Sequence, residues 1–165
     1  MGVADPGGFE DWYRDHHPRL ASAILALSRD PDLSAEVADE AFSRALERWS
    51  RVSEMASPEG WIYRTAVNLL HRTRRRHEVE RRVLRRSTVA TPARDLGWDP
   101  DLLAAIAGLP ERQRLAVALH YIADLRVEDT AEAMGVQPGT VMATIHAARA
   151  NLHKALAPTA EEPTP

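Results

Sequence analysis

The stretch from residue 127 to residue 156, VEDTAEAMGVQPGTVMATIHAARANLHKAL, decides how the rest of the chain is read. It holds two helical segments separated by Gly135, Val136 and Gln137, with small Ala131 four residues before Gly135 and Val141 six residues after it. A small residue lets two helices approach closely. A glycine takes the left-handed conformation that a tight turn needs, and a later valine plugs the core between the helices. The spacing predicts a helix-turn-helix. Its second helix turns Val141, Ile145, Ala148, Leu152 and Leu156 inward and leaves Thr140, Met142, Ala143, Thr144, His146, Ala147 and Arg149 outward. In such a motif the outward face is the one that can enter a DNA groove.

Working toward the N-terminus, Pro110 opens a helix that runs to about Ile122, with Leu115, Leu119 and Ile122 inward. Asp99-Pro100 starts the helix before it, a capping acid followed by proline at the first helical position, and Gly108 ends it. Residues 87–99 are mixed in pattern and include Pro92 and Gly97, so they read as a linker. Ahead of the linker, Ser57-Pro58-Glu59 begins a helix that turns Trp61, Ile62, Ala66, Leu69 and Leu70 inward, runs into arginines and continues weakly to about Arg86. Residues 51–57 read as a loop. Val37, Ala41, Ala45 and Trp49 recur every four residues, which predicts an amphipathic helix with Asp32 or Ser34 as its cap. Its polar face carries Glu36, Asp39, Glu40, Arg44, Glu47 and Arg48, a pattern that also suits a simply solvated face. Phe9, Trp12, Tyr13, Leu20, Ile24 and Leu27 predict one or two helices, with Pro18 in a first turn or at a break. The tail from residue 158 is Pro, Thr, Ala and Glu and reads as disordered.

These elements describe an all-α protein of two small helical domains, residues 1–86 and 100–157. At 165 residues, 44% hydrophobic and 27% charged, the chain is of ordinary soluble composition, and lobes of this size have marginal cores. It has no cysteine, which removes disulfides, cysteine zinc sites and thiol nucleophiles. Nor does it contain a glycine-rich phosphate loop or a histidine pair followed by a third ligand, so neither an enzyme nor a metal or other cofactor is expected. His16 with His17, and His146 with His153, read as surface histidines. Residues 1–10 have neither a basic start nor an apolar core, and no run of 18 apolar residues occurs, so the chain is placed in the cytoplasm with no membrane partner.

Charge is kept apart along the chain. Nine arginines against two acids between Arg64 and Arg86 give that window +7, so the remainder carries −10 of the net −3. Twenty of the 21 basic residues are arginine. That suits bidentate phosphate contacts, although a GC-rich genome gives the same bias. A cationic helix with nearby aromatics fits single-stranded DNA, because charges follow the backbone and rings stack on unpaired bases at about 1–3 kcal/mol each.

Taken in order, these residues resemble the bacterial extracytoplasmic-function (group 4) sigma factors, over nearly the whole chain. Glu40, Phe42, Arg44 and Ala45 are similar to that family's polymerase-binding helix. Trp61, Ile62, Tyr63 and Arg64, followed by Ala66, Asn68 and Leu69, are similar to its promoter-melting helix. Leu109 to Arg114 and Gly139-Thr140-Val141 are similar to its upstream-element domain. The resemblance implies a subunit of RNA polymerase in which residues 1–86 bind polymerase and the downstream promoter element. Glu36, Asp39, Glu40 and Arg44 would then meet the clamp helices of core RNA polymerase, and the second lobe its flap. Arg64, Arg72, Arg74, Arg75 and Arg76 would hold non-template phosphates beside Asn68, while Trp61 and Tyr63 support strand separation directly or as core beside it. The loop at 51–57 would help to read melted bases, and Thr140, Thr144, His146 and Arg149 would face the upstream element. An anti-sigma factor is a partner the resemblance also suggests.

The chain departs from the family where members commonly carry lysine, arginine and arginine, here Met142, Thr144 and Ala147. Each lost phosphate contact lowers the salt slope of DNA binding by about 0.9. Arg126 and Gln137 stand where capping serines are usual, and Thr130 puts a hydroxyl where an apolar residue is usual. The alternative is a sigma-like cofactor, or a helix-turn-helix regulator, that does not read a promoter alone; the first lobe argues against the regulator.

Overall fold

The computed structural model describes residues 7–84 and 98–157, and every element in them is helical. Residues 1–6, 85–97 and 158–165 lie outside the described residues, and with them Arg85, Arg86, most of the predicted linker and the predicted disordered tail.

Helix α1, Gly7–Ser28, passes straight through Pro18. A proline inside a helix costs about 3 kcal/mol. Here the loss is offset on the C-terminal side, where Leu20, Ala23, Ile24 and Leu27 are buried on one face. Arg29 ends the helix at φ 57, and Asp30, not Asp32 or Ser34, caps the next one by accepting from the N–H groups of Asp32 and Leu33 at 3.0 Å each. Ser34 lies too deep to cap: it is buried and donates to the Ala21 carbonyl at 2.6 Å, tying α2, Pro31–Glu47, to α1. The four-residue recurrence in α2 buries Val37, Ala38, Ala41, Phe42 and Ala45. The predicted loop at 51–57 is partly helical, since a single turn, α3, spans Trp49–Val52.

Helix α4, Pro58–Leu84, starts where the serine-proline pair places it, with Ser57 Oγ accepting from the Gly60 N–H at 2.9 Å. Ile62, Tyr63, Ala66, Val67, Leu69 and Leu70 are its buried face. After the linker, Asp99 caps α5, Pro100–Ala107, and α6, Glu111–Val117, runs on as a π-helical turn over Ala118–Ile122. The helix-turn-helix then forms as its spacing requires. Helix α7 spans Val127–Met134, Gly135 turns at φ 66, and α8 spans Pro138–Leu156. Ala116, Ala131, Val141 and Ile145 pack in one small core behind the turn, and Ile106, Leu109, Val117 and Ala148 in another. No cap hydrogen bond is made by the side chain of Arg126 or Gln137, the positions where serines are usual.

The largest core crosses between the lobes. Leu20, Ile24, Leu27, Ile62, Tyr63, Ala66 and Leu70 from the first share it with Ala118, Leu119, Ala123, Leu125 and Ala133 from the second. The π-helical turn lies on α1 and α7 lies on α4. Two marginal cores thus complete each other.

Candidate functional site

Three surfaces carry the residues singled out by sequence. The first is an open groove between α2 and α4, lined by Glu36, Asp39, Glu40, Ser43, Arg44, Leu69, Thr73 and Arg76. The helical period sets Glu36, Asp39 and Glu40 on one side of α2, and each has a polar partner within the chain. Glu40 accepts from Arg44 Nε at 2.7 Å, Glu36 from Arg76 at 3.4 Å, and Asp39 lies 2.9 Å from His17 Nε2. Exposed pairs of this kind are worth about 0–1 kcal/mol, so a partner can displace them at little cost. Arg76, which the sequence assigns to DNA, faces this groove instead.

The second surface is the solvent side of α4. Arg64, Asn68, Arg72 and Arg75 are exposed there at spacings of four, four and three residues, a row of about 17 Å at 1.5 Å per residue. Two residues expected on this row are elsewhere. Tyr63 is fully buried in the core shared by the lobes, where its ring packs and its hydroxyl has no hydrogen-bond partner, and burial raises its pKa well above the usual phenol value. Turned about 100° around α4 from Arg64 and fully buried, it offers no surface to DNA in this arrangement of the lobes. Arg74 also turns inward. It donates to the Leu27 carbonyl and lines a small inter-lobe cavity with Val67, Leu70, His71, Glu111 and Arg114. Burial, then the neighbouring Arg114, lowers its pKa, while Glu111 and Asp30 oppose the shift. Trp61 is half-buried against the main core.

The third surface is the outer face of α8. Thr140, His146 and Arg149 are exposed, Met142 is 55% exposed, and Thr144 is partly covered with its hydroxyl donating to the Thr140 carbonyl at 2.7 Å. From Pro138 to Ala148 this helix carries no lysine or arginine. Beside it Ala143, Thr144 and Ala147 form an open groove with Pro110, Glu111, Arg112 and Gln113.

Sequence reasoning missed the junction of the first two helical layers with α7. Ser57, besides capping α4, donates to Asp129 Oδ1 at 2.6 Å, and Arg126 grips the same carboxylate through Nε at 2.8 Å and Nη2 at 3.2 Å. Burial raises the pKa of Asp129, but the hydrogen bonds from Arg126 and Ser57 and the arginine's charge outweigh it, so the net shift is downward. The Arg126–Asp129 spacing at a helix start was a signal for the local pair. Nothing local signals Ser57, 72 positions away.

The histidines do not converge. His16 lies 3.4 Å from Glu59 and His17 pairs with Asp39. Among the described residues no three metal-ligating side chains gather, and no helix is long and apolar enough to cross a membrane.

Residues 12–79 match the family described as Sigma-70 region 2 and residues 100–152 match Sigma-70, region 4. The chain is 26% identical over 151 residues to RNA polymerase sigma-E factor of Streptomyces coelicolor, covering 90% of this chain and 85% of that protein. It is 30% identical over 159 residues to ECF RNA polymerase sigma factor SigE of Mycolicibacterium smegmatis, covering 90% of this chain and 62% of that one. Among solved structures, the sigma factor RpoE of Bartonella quintana, determined with the anti-sigma factor NepR, superposes with a TM-score of 0.73 at 21% identity, covering 90% of this chain and 96% of that one. CnrH, determined with the cytosolic domain of CnrY, gives 0.65 at 18% identity, covering 93% and 90%. Two family matches in the order region 2 then region 4, on a chain whose described elements are all helical and of which 90% or more aligns with each of these relatives, place it in the sigma-70 family: it belongs to the extracytoplasmic-function (group 4) sigma factors, alternative sigma factors that bind core RNA polymerase and promoter DNA and direct transcription initiation.

Proposed function

We propose that the two regions divide the work as follows. The lobe of residues 1–86 meets the polymerase clamp helices through Glu36, Asp39, Glu40 and Arg44, and holds the non-template strand on the α4 row of Arg64, Asn68, Arg72 and Arg75. Trp61 supports strand separation as a wall beside that row. The lobe of residues 100–157 meets the flap and lays α8 on the upstream element through Thr140, Thr144, His146 and Arg149. The chain does no chemistry itself and works in the cytoplasm.

One observation carries this reading. The exposed arginine row and the acidic groove occupy adjacent faces of α4 and α2, so one rigid pair of helices can bind polymerase on one side and DNA on the other. The ion pairs in the groove are weak enough to exchange for polymerase contacts. Arginine matches phosphate geometry in two hydrogen bonds at once, which suits a row meant to follow a backbone. By analogy with the two solved neighbours, each determined with a regulatory chain bound, an anti-sigma protein that covers these faces is a further partner.

The test is run-off transcription with purified core polymerase on a library of genomic promoter fragments. Wild-type protein gives discrete transcripts. Glu36→Ala/Asp39→Ala/Glu40→Ala loses them together with core binding, while Arg64→Ala/Arg72→Ala/Arg75→Ala keeps core binding and loses open complexes. Core binding without transcripts from any template would replace promoter reading by a sigma-like cofactor role.

A further inference from the structure

The outer face of α8 carries no side chain that reads guanine or adenine by paired hydrogen bonds. At about 100° per residue, Ala143 stands at the centre of that face with Ala147 one turn on, opposite the buried Val141, Ile145 and Ala148. His146 lies to one side of them, and Thr140 and Thr144 to the other. Thr144 spends its only hydroxyl proton on the Thr140 carbonyl at 2.7 Å, which leaves it a methyl group and lone pairs but no donor. From Pro138 to Ala148 there is no Lys, Arg, Asn, Gln, Asp or Glu, and the first amide beyond, Asn151, donates to Gln113 at 2.7 Å. Guanine is ordinarily read by Arg or Lys and adenine by Asn or Gln, each in two bonds at once, whereas small apolar side chains fit against the 5-methyl group of thymine.

The cations stand at the rims of this face. Arg149 is exposed on the flank beyond His146, and Arg112 is exposed across the groove from Thr140 and Thr144. Glu111, in the same wall, lies 3.8 Å from His71 of the first lobe. A neutral strip of methyl groups between two guanidiniums is complementary to a major groove about 12 Å wide, with phosphates along both edges and base edges on its floor.

We propose that α8 reads the upstream element through thymine methyl groups, with Ala143, Thr144 and Ala147 as the specificity-determining residues and Arg112 and Arg149 holding phosphates on either side. This rests on α8 lying on the upstream element. The DNA it selects carries A·T pairs beneath those three residues, and its recognition depends on apolar contact more than on hydrogen bonds to bases.

The test uses holoenzyme, core polymerase with the full chain, on the genomic fragment that it binds most tightly. Scrambling the sequence upstream of the melted segment block by block locates the upstream element. Each thymine there is then replaced singly by deoxyuridine, which removes the 5-methyl group and leaves every hydrogen-bonding group in place. Because the change is made in the DNA, the fold of the protein is untouched. Two or more of these replacements should each weaken binding about four-fold, the worth of one buried group of that size. The variant Ala143→Ser/Thr144→Ser/Ala147→Ser changes positions outside the packed cores and keeps the hydroxyl at residue 144. In it the same replacements should cost less than two-fold. An element whose scrambling abolishes binding while no deoxyuridine costs two-fold overturns methyl reading and leaves α8 on DNA. Deoxyuridine losses undiminished in the serine variant give the methyl contacts to other residues and overturn the role of these three. Binding indifferent to scrambling of every upstream block overturns the placement of α8 itself, and its outer face is then a contact for protein.

Discussion

Restoring cations to α8 gives a prediction whose size follows from counting charges. The outer face of α8 has no lysine or arginine before Arg149, and its edge opens on a groove of about 470 Å³ walled by Ala143, Thr144, Ala147 and the start of α6. Long side chains introduced at Met142→Lys, Thr144→Arg and Ala147→Arg therefore have room to extend without disturbing the buried stripe of Val141, Ile145 and Ala148. Thr144 gives up only a hydrogen bond to its own helix. Each new phosphate contact adds about 0.9 to the slope of log affinity against log salt, so three contacts steepen it by about 2.7. Between 50 and 200 mM salt the triple variant should lose roughly 40-fold more affinity than wild type, starting from tighter binding at low salt. Holoenzyme titrations of a duplex carrying the upstream element, at four salt concentrations across that range, measure the two slopes. A slope equal to that of wild type would show that this face of α8 does not lie on the phosphate backbone.

Three further outcomes follow from buried groups. The pKa of Asp129 is lowered from 3.8 by its bonds to Arg126 and Ser57, so its contribution is complete above that value and fades as pH falls through it toward the folded-state pKa. Urea unfolding of Asp129→Asn should show a deficit at pH 6 that shrinks below about pH 4; a deficit constant with pH contradicts the assignment. Leu119 is fully buried in the core shared by the lobes, so Leu119→Ala should cost about 2–5 kcal/mol in urea unfolding and loosen both lobes in one transition. Thr130 is fully buried with its hydroxyl unpaired, and Thr130→Val, which removes that group at nearly constant volume, should stabilise the protein by about 1 kcal/mol, seen as a raised Tm by calorimetry.

What local chemistry controls was legible in the sequence. The Gly135 turn, the Ala131–Val141 packing and the Ser57-Pro58 and Asp99-Pro100 starts stand where their spacing puts them, as do the apolar stripes of α2 through Ala45 and of α8 through Ala148; Trp49 falls in α3 instead, and Leu156, expected inward, is 44% exposed where α8 runs past its core. Side-chain direction along α4 was harder. Arg74 sits inside an arginine run, yet the helical period turns it toward Leu27 while its neighbours face solvent, and Tyr63, next to Arg64 in sequence, is turned about 100° away from it into the core. The Pro18 position was open because the penalty of an interior proline is local and the burial that offsets it is not. The closed arrangement of the lobes was out of reach for the same reason. Nothing near Ala118, Ala123 or Ala133 marks an alanine as the counterpart of Leu20 or Ile24 a hundred residues away.

Those alanines bear on how a dissociable subunit can be closed and still open. The second lobe supplies three alanines and two leucines to the fully buried part of the shared core, with Leu115, Ile122 and Met134 partly buried against it. Burying a leucine fully is worth about 1.5–3 kcal/mol and an alanine much less, so the alanines and the half-covered side chains lower the apolar part of the contact. In the polar part, Arg64 with Glu132 is an exposed pair of little worth. Ser57 and Asp129 are shielded, with Arg126 reaching the carboxylate from solvent, and both regain water when the lobes part. An interface of large aliphatic side chains on both sides would lock the chain shut against any partner. One of small residues and exchangeable charges leaves an opening cost that a polymerase surface can repay, provided its donors for Glu36, Asp39 and Glu40 and its acceptor for Arg44 are worth more than the exposed pairs they replace.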